Sequence, residues 1–179
     1  MQKLRLQFQM RRIPKLALDY RYGTLVEEER ERRIQLEIGP SAAARGYFTF
    51  DEFLEVCLWK TRGRSAPLVA SNDPEDVEEA THIALSASSE RIRIGVLRSL
   101  SGVDWPTASV FLHFGHADPY PILDFRALEA LGVGRGSVTY NFELWSTYVA
   151  CCRDLATRAG VTMRELDRAM WQWSADRNR

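Results

Sequence analysis

Two short segments of this chain hold residue types at spacings that could do chemistry. In the first, Ser101-Gly102-Val103-Asp104 forms a tight turn between two apolar helical patterns. Such a hairpin leaves backbone N–H groups exposed at the start of its second helix, and that arrangement binds phosphate. In the second, the Pro-rich run Asp118-Pro-Tyr-Pro121-Ile-Leu ends in Asp124, where another helix begins. An aspartate there can cap the helix and still present a carboxylate to a ligand. His113 and His116, with Asp118 close by, have a spacing that could share a metal. No Cys or further His lies near them, so a helix-end pair is the expectation. The vicinal Cys151-Cys152 reads as buried packing. The GVGRG run at 132–136 follows no strand and reads as a helix–helix connection, with Arg135 able to touch nucleic acid.

The elements that must position these residues are helical. Thr24-Leu-Val-Glu27 is a capping-box pattern that opens an Arg/Glu-rich helix, expected to stop near Gly39-Pro40. A second box, Thr49-Phe-Asp-Glu52, starts a helix with Phe53, Leu54, Cys57 and Leu58 on one face. Asn72-Asp-Pro74 predicts a helix over 74–87, and Ser88 or Ser89 caps the one carrying Ile92, Ile94, Val96, Leu97 and Leu100. Further helices are predicted at about 105–115, 125–131 and 140–159, by periodicity of apolar residues. A last one, opened by Thr162-Met-Arg-Glu165, should reach about Ser174. Residues 3–10 alternate with period two but have no strand partner. The fold class is therefore all-α: a compact helical bundle, in one domain over 1–179 with two small lobes allowed. Residues 1–46 read as a helical extension packing on the C-terminal helices.

At 179 residues, with 45% apolar and 27% charged side chains, the chain is an ordinary globular one. No apolar stretch is long enough to span a bilayer, and no secretory signal is read at the N-terminus. Three cysteines make no disulfide framework, which points to a reducing cytoplasmic setting. The formal net charge is zero, but residues 1–50 carry ten basic against six acidic side chains and residues 51–90 three against nine. Strong non-specific binding to nucleic acid is thereby disfavoured, while a basic face is not.

The segment 97–132 resembles the helix-hairpin-helix DNA glycosylase superfamily. Leu100, Gly102, Val103, Thr107 and Ala108 match that family's hairpin, and Pro121-Ile-Leu-Asp124 matches the segment that follows it about twenty residues later. The resemblance implies a helix-hairpin-helix protein that binds duplex DNA as a monomer, in the nucleoid. It implies a backbone grip on phosphate around Gly102, Val103, Asp104, Trp105 and Thr107, and a catalytic Asp124. Breaking an N-glycosidic bond builds positive charge on the sugar, which a carboxylate stabilises while it orients water. The target base must leave the stack for a pocket, against an aromatic surface such as Trp59, Trp105, Tyr120 or Trp145.

The weaker match over residues 50–65 ends in Trp59-Lys60-Thr61-Arg62. It resembles the family's first core helix, whose end supplies the wedge that enters DNA. Lys60 or Thr61 would hold that place, with Trp59 beside them and Arg62 and Arg64 meeting phosphates. Three departures accompany the match. Asp104 stands where the family has a second glycine, Pro106 stands where bifunctional members carry lysine, and the iron–sulfur cysteines of some relatives are absent. The implied activity is that of a monofunctional glycosylase hydrolysing the bond to a modified or mismatched base. It needs no cofactor, a monovalent cation at the hairpin being the one addition the family suggests. Two other readings stay open: a non-catalytic hairpin module that binds DNA, and a helical protein-interaction adaptor. An open aromatic pocket beside Asp124 separates the first from these.

Overall fold

The computed structural model describes residues 4–21, 23–134, 136 and 138–177. All-α is the class observed: the described residues are helical or irregular, with no strand among them. By contacts, the described residues of 1–21 and 119–179 form one compact unit and those of 22–118 form another.

The first unit begins with irregular residues 4–9, bent at Gln7 and Phe8, a 3₁₀ turn at Met10–Arg12 and α1 (Ile13–Asp19). The alternating residues near the N-terminus thus join no sheet. Their amides are used otherwise: Arg5 N donates to Leu131 O at 3.0 Å and Gln7 N to Ala130 O at 2.9 Å. These are carbonyls at a helix end, which would lack an intrahelical donor.

The central unit contains α2 (Leu25–Arg33), a π segment (Ile34–Ile38), α3 (Gly39–Arg45), α4 (Phe50–Thr61), α5 (Ala66–Val69), α6 (Pro74–Ser86), α7 (Glu90–Leu97) and α8 (Trp105–Gly115). The helix that opens at Thr24 does not stop at Gly39-Pro40. It widens into the π turn, where Gly39 N donates to Ile34 O, and runs on to Arg45. Proline lacks a donor and its ring crowds the carbonyl four residues back, and one wide turn relieves both. Gly39 is required for a second reason, since a Cβ there would lie 2.6 Å from Phe114 O.

Helix α4 is held at its start by a complete capping box. Thr49 N donates to Glu52 Oε2 at 2.9 Å, and Glu52 N donates to Thr49 Oγ1 at 3.4 Å. Thr49→Ala should destabilise this unit by about 1 kcal/mol, read as a lower urea midpoint with an unchanged slope. The helix buries Phe53, Val56 and Cys57; Leu54 and Leu58 of the predicted face are only half-buried. Phe53 stacks on Phe111 with centroids 5.4 Å apart, and Phe48 meets the same ring edge-on at 5.1 Å. Helix α8 is the spine of the unit, with Thr107, Ala108, Val110, Phe111 and Leu112 among its buried residues. A helix apolar on every side has to be an interior one.

The first unit resumes with α9 (Phe125–Ala130), α10 (Phe142–Ala159) and α11 (Met163–Arg177), α1 packing on α11. The predicted extension 1–46 is therefore divided. Only its first part lies on a C-terminal helix, whereas α2 and α3 pack within the central unit on α4 and α8. No helix among the described residues is long and apolar enough to cross a membrane.

Candidate functional site

The hairpin of the central unit joins α7 to α8. Helix α7 is capped by Ser89, whose hydroxyl accepts from Ile92 N, and the chain then tightens through Ser99 N→Val96 O at 3.1 Å and Val103 N→Leu100 O at 3.2 Å. Gly102 sits at φ +78°, the left-handed region that side chains disfavour. Leu100, Val103, Trp105 and Thr107 are buried and anchor the turn, while Ser101 and Asp104 are exposed.

Two side chains whose roles the sequence does not reveal shape this turn. Asp73 rather than Asn72 caps α6, accepting from Glu75 N at 2.8 Å. Asn72 instead clamps Ser101, accepting its N–H at 2.7 Å and donating to its carbonyl at 3.0 Å. Arg98 lies with its guanidinium 4.1 Å from the Trp105 ring centre and its Nε 3.5 Å from Asp104 Oδ1. The Asp104 carboxylate is thus partly neutralised by Arg98. Among the described residues, the amide N–H groups of Gly102 and Asp104 donate no hydrogen bond within the protein. One flank of the hairpin is acidic, a groove of about 530 Å³ lined by Asp73, Asp76 and Glu79 beside Ser99 and Ser101. Phosphates would be repelled from that flank.

At the end of α4, Trp59 is half-buried with its ring edge-on to Phe114, and Lys60 is half-buried too. Thr61 is committed internally: its hydroxyl donates to Cys57 O at 2.8 Å and accepts from Ser65 Oγ at 2.9 Å. Arg62 ends the helix at φ +53° and pairs with Glu27 at 2.9 Å. Arg64 is exposed.

Comparison with family models, with curated proteins and with solved structures finds no match.

In the other unit, Asp124 is half-buried and caps α9. Its Oδ1 accepts from Arg126 N at 2.9 Å, and its carbonyl accepts from Leu128 N at 3.0 Å. The ring of Phe125 beside it is 42% exposed, and Arg126 stacks over both Phe125 and Trp171, at 5.2 and 4.8 Å. Tyr120 does not reach a surface. It is 1% exposed, parallel to the buried Trp145 with centroids 6.0 Å apart. Its short apolar sequence context (Pro119 to Leu123) is what packs it inward. Trp105 is likewise covered, by Arg98. Of Trp59, Trp105, Tyr120 and Trp145, only Trp59 keeps partial exposure, and Phe125 is more open than any of them.

Among the described residues no three metal-capable side chains come together. His116 Nδ1 accepts from Asp118 N at 2.9 Å. Cys152 is buried and Cys151 partly so. Gly132 ends α9 in a left-handed conformation against Gln7, consistent with a helix connection; Arg135 lies outside the described residues.

Proposed function

We propose that this protein binds duplex DNA through the hairpin and hydrolyses the N-glycosidic bond of a modified or mismatched base, with Asp124 as the catalytic carboxylate. What carries the reading is a pairing along the chain: a tight turn between two helices with a left-handed Gly102 and two amides that donate no hydrogen bond within the protein, followed by a half-buried carboxylate that caps the next helix. The amides suit one phosphodiester oxygen, and the Arg98 fork supplies the charge beside them. Asp124 offers a negative charge next to a sugar whose anomeric carbon becomes cationic as the base departs. Water is the nucleophile, since Pro106 leaves no amine in the hairpin for covalent attack. No cofactor enters this reaction. The protein would act as a monomer on the nucleoid.

The burial of Tyr120, Trp145 and Trp105 favours a second reading, a hairpin module that binds DNA without acting on it. A base-release assay separates the two. Labelled duplexes carrying a panel of lesions are incubated with the protein and then treated with alkali. Strand breaks that require alkali support the glycosylase; salt-sensitive binding with no breaks on any duplex supports the binding module; neither result leaves the adaptor.

The charge at the hairpin gives a further prediction. Asp104→Asn removes the carboxylate that occupies Arg98 and stands near the bound phosphate. Duplex affinity should rise several-fold, and the slope of log K against log salt should steepen by about one unit. Fluorescence anisotropy across a salt series measures both, and an unchanged slope would remove Arg98 from the phosphate contact.

A further inference from the structure

We infer that Tyr148 is the positioning residue for Asp124: its buried hydroxyl, donating to Ile122 O, fixes the segment that delivers the carboxylate. The inference deepens the role proposed above for Asp124 and rests on it. Tyr148 is wholly buried, and its hydroxyl donates to Ile122 O at 2.8 Å, two residues before Asp124. A carbonyl can only accept, so the phenolic proton belongs to the Ile122 bond. Burial raises the Tyr148 pKa well above its ordinary value, so that proton stays in place at neutral pH.

The segment 119–124 has no helix or ladder of its own. Its carbonyls need donors from elsewhere, and α10 provides two of them. Besides Tyr148, Arg153 Nε donates to Pro119 O at 2.8 Å, and the Arg153 guanidinium lies 4.6 Å from the Tyr120 ring centre. The segment is thus gripped at its beginning by Arg153 and just ahead of the carboxylate by Tyr148, while Asp124 closes the far end through its bond to Arg126 N. The charges of Asp167 and Asp124 add to the rise in the Tyr148 pKa that burial causes. Asp167 is buried and paired with Arg164, so Asp124 is the more solvent-accessible of the two.

The test compares wild type, Tyr148→Phe and Cys152→Ala as full-length chains. Amide hydrogen exchange at Arg126 reads the Asp124 cap directly, with amides inside α8 as reference. Tyr148→Phe keeps the ring and removes the hydroxyl. Arg126 should then exchange roughly tenfold faster, as expected for loss of one buried hydrogen bond, while the α8 amides stay unchanged. Cys152→Ala leaves the Ile122 bond intact and should change Arg126 exchange by no more than about threefold. On whichever lesion duplex the wild type cleaves, Tyr148→Phe should lower kcat about tenfold with KM unchanged. Unchanged exchange at Arg126, or equal acceleration throughout α9, α10 and α11, overturns the inference. Absence of base release by the wild type would sink the glycosylase reading by itself, and the exchange result would still decide whether Tyr148 holds Asp124.

Discussion

Asp124→Asn is expected to lower base release by a factor of about 10² to 10⁴ while leaving the folded protein nearly as stable as before. The two halves of this expectation come from two roles of one side chain. As a cap, Asp124 Oδ1 accepts from Arg126 N at 2.9 Å, and asparagine caps a helix about as well as aspartate. The helix it caps is short, so removing a charge from its start costs at most about 0.5 kcal/mol. As a catalytic group, however, the residue needs its negative charge, because an amide cannot offset a developing sugar cation. Base release and thermal melting on the same preparations separate the roles. Full activity in a stable variant would show that Asp124 is a cap and nothing more.

Gly102→Ala should cost the central unit about 2–4 kcal/mol and weaken duplex binding in proportion to the fraction unfolded or distorted. Two penalties combine. The residue sits at φ +78°, where a Cβ is disfavoured, and that Cβ would lie 2.8 Å from Val69 Cγ1 and 3.1 Å from both Leu68 Cβ and Val69 N. A methyl group can rotate away, but a backbone nitrogen in α5 cannot move without shifting the turn. Gly63 provides the control. Its φ is +77°, almost the same, yet nothing lies within 4 Å of where its Cβ would be. Gly63→Ala should therefore show the conformational penalty alone, about 1–2 kcal/mol. Urea unfolding of both variants measures the difference, which isolates the steric part. Equal losses would mean that α5 yields freely and that the hairpin is not pinned from below.

What could be read from the sequence divides by the distance over which each feature is decided. The starts of α2, α4, α6 and α7 were legible because their caps close within two or three residues: Thr24 with Glu27, Thr49 with Glu52, Asp73 with Glu75, Ser89 with Ile92. The turn at Gly102 was legible for the same reason. The stop expected at Gly39-Pro40 was not a local matter. It depends on a π turn and on the close approach of Phe114, far along the chain. Asn72 looked like a cap because it precedes Asp73 and Pro74, and its use at Ser101 is visible only in three dimensions. Likewise Tyr120 has the composition of a binding residue, and only its parallel packing on Trp145 removes it from solvent. Arg98 gave no signal, being one arginine among 21 until the turn brings it over Trp105.

One unit of this protein is assembled from both ends of the chain, and that fixes an order of events during synthesis. Helix α1 emerges from the ribosome early, but α11, on which it packs, is made roughly 150 residues later, a delay of about 10–30 s at cellular elongation rates. Throughout that interval Ile13 and Leu16, buried in the finished protein, have no partner to cover them. The central unit faces no such wait, because its helices follow one another from α2 to α8 and can close as soon as α8 is out. Vectorial synthesis therefore favours a nascent chain whose hairpin is folded well before the surroundings of Asp124 exist. The carboxylate becomes fixed only when the last helices arrive.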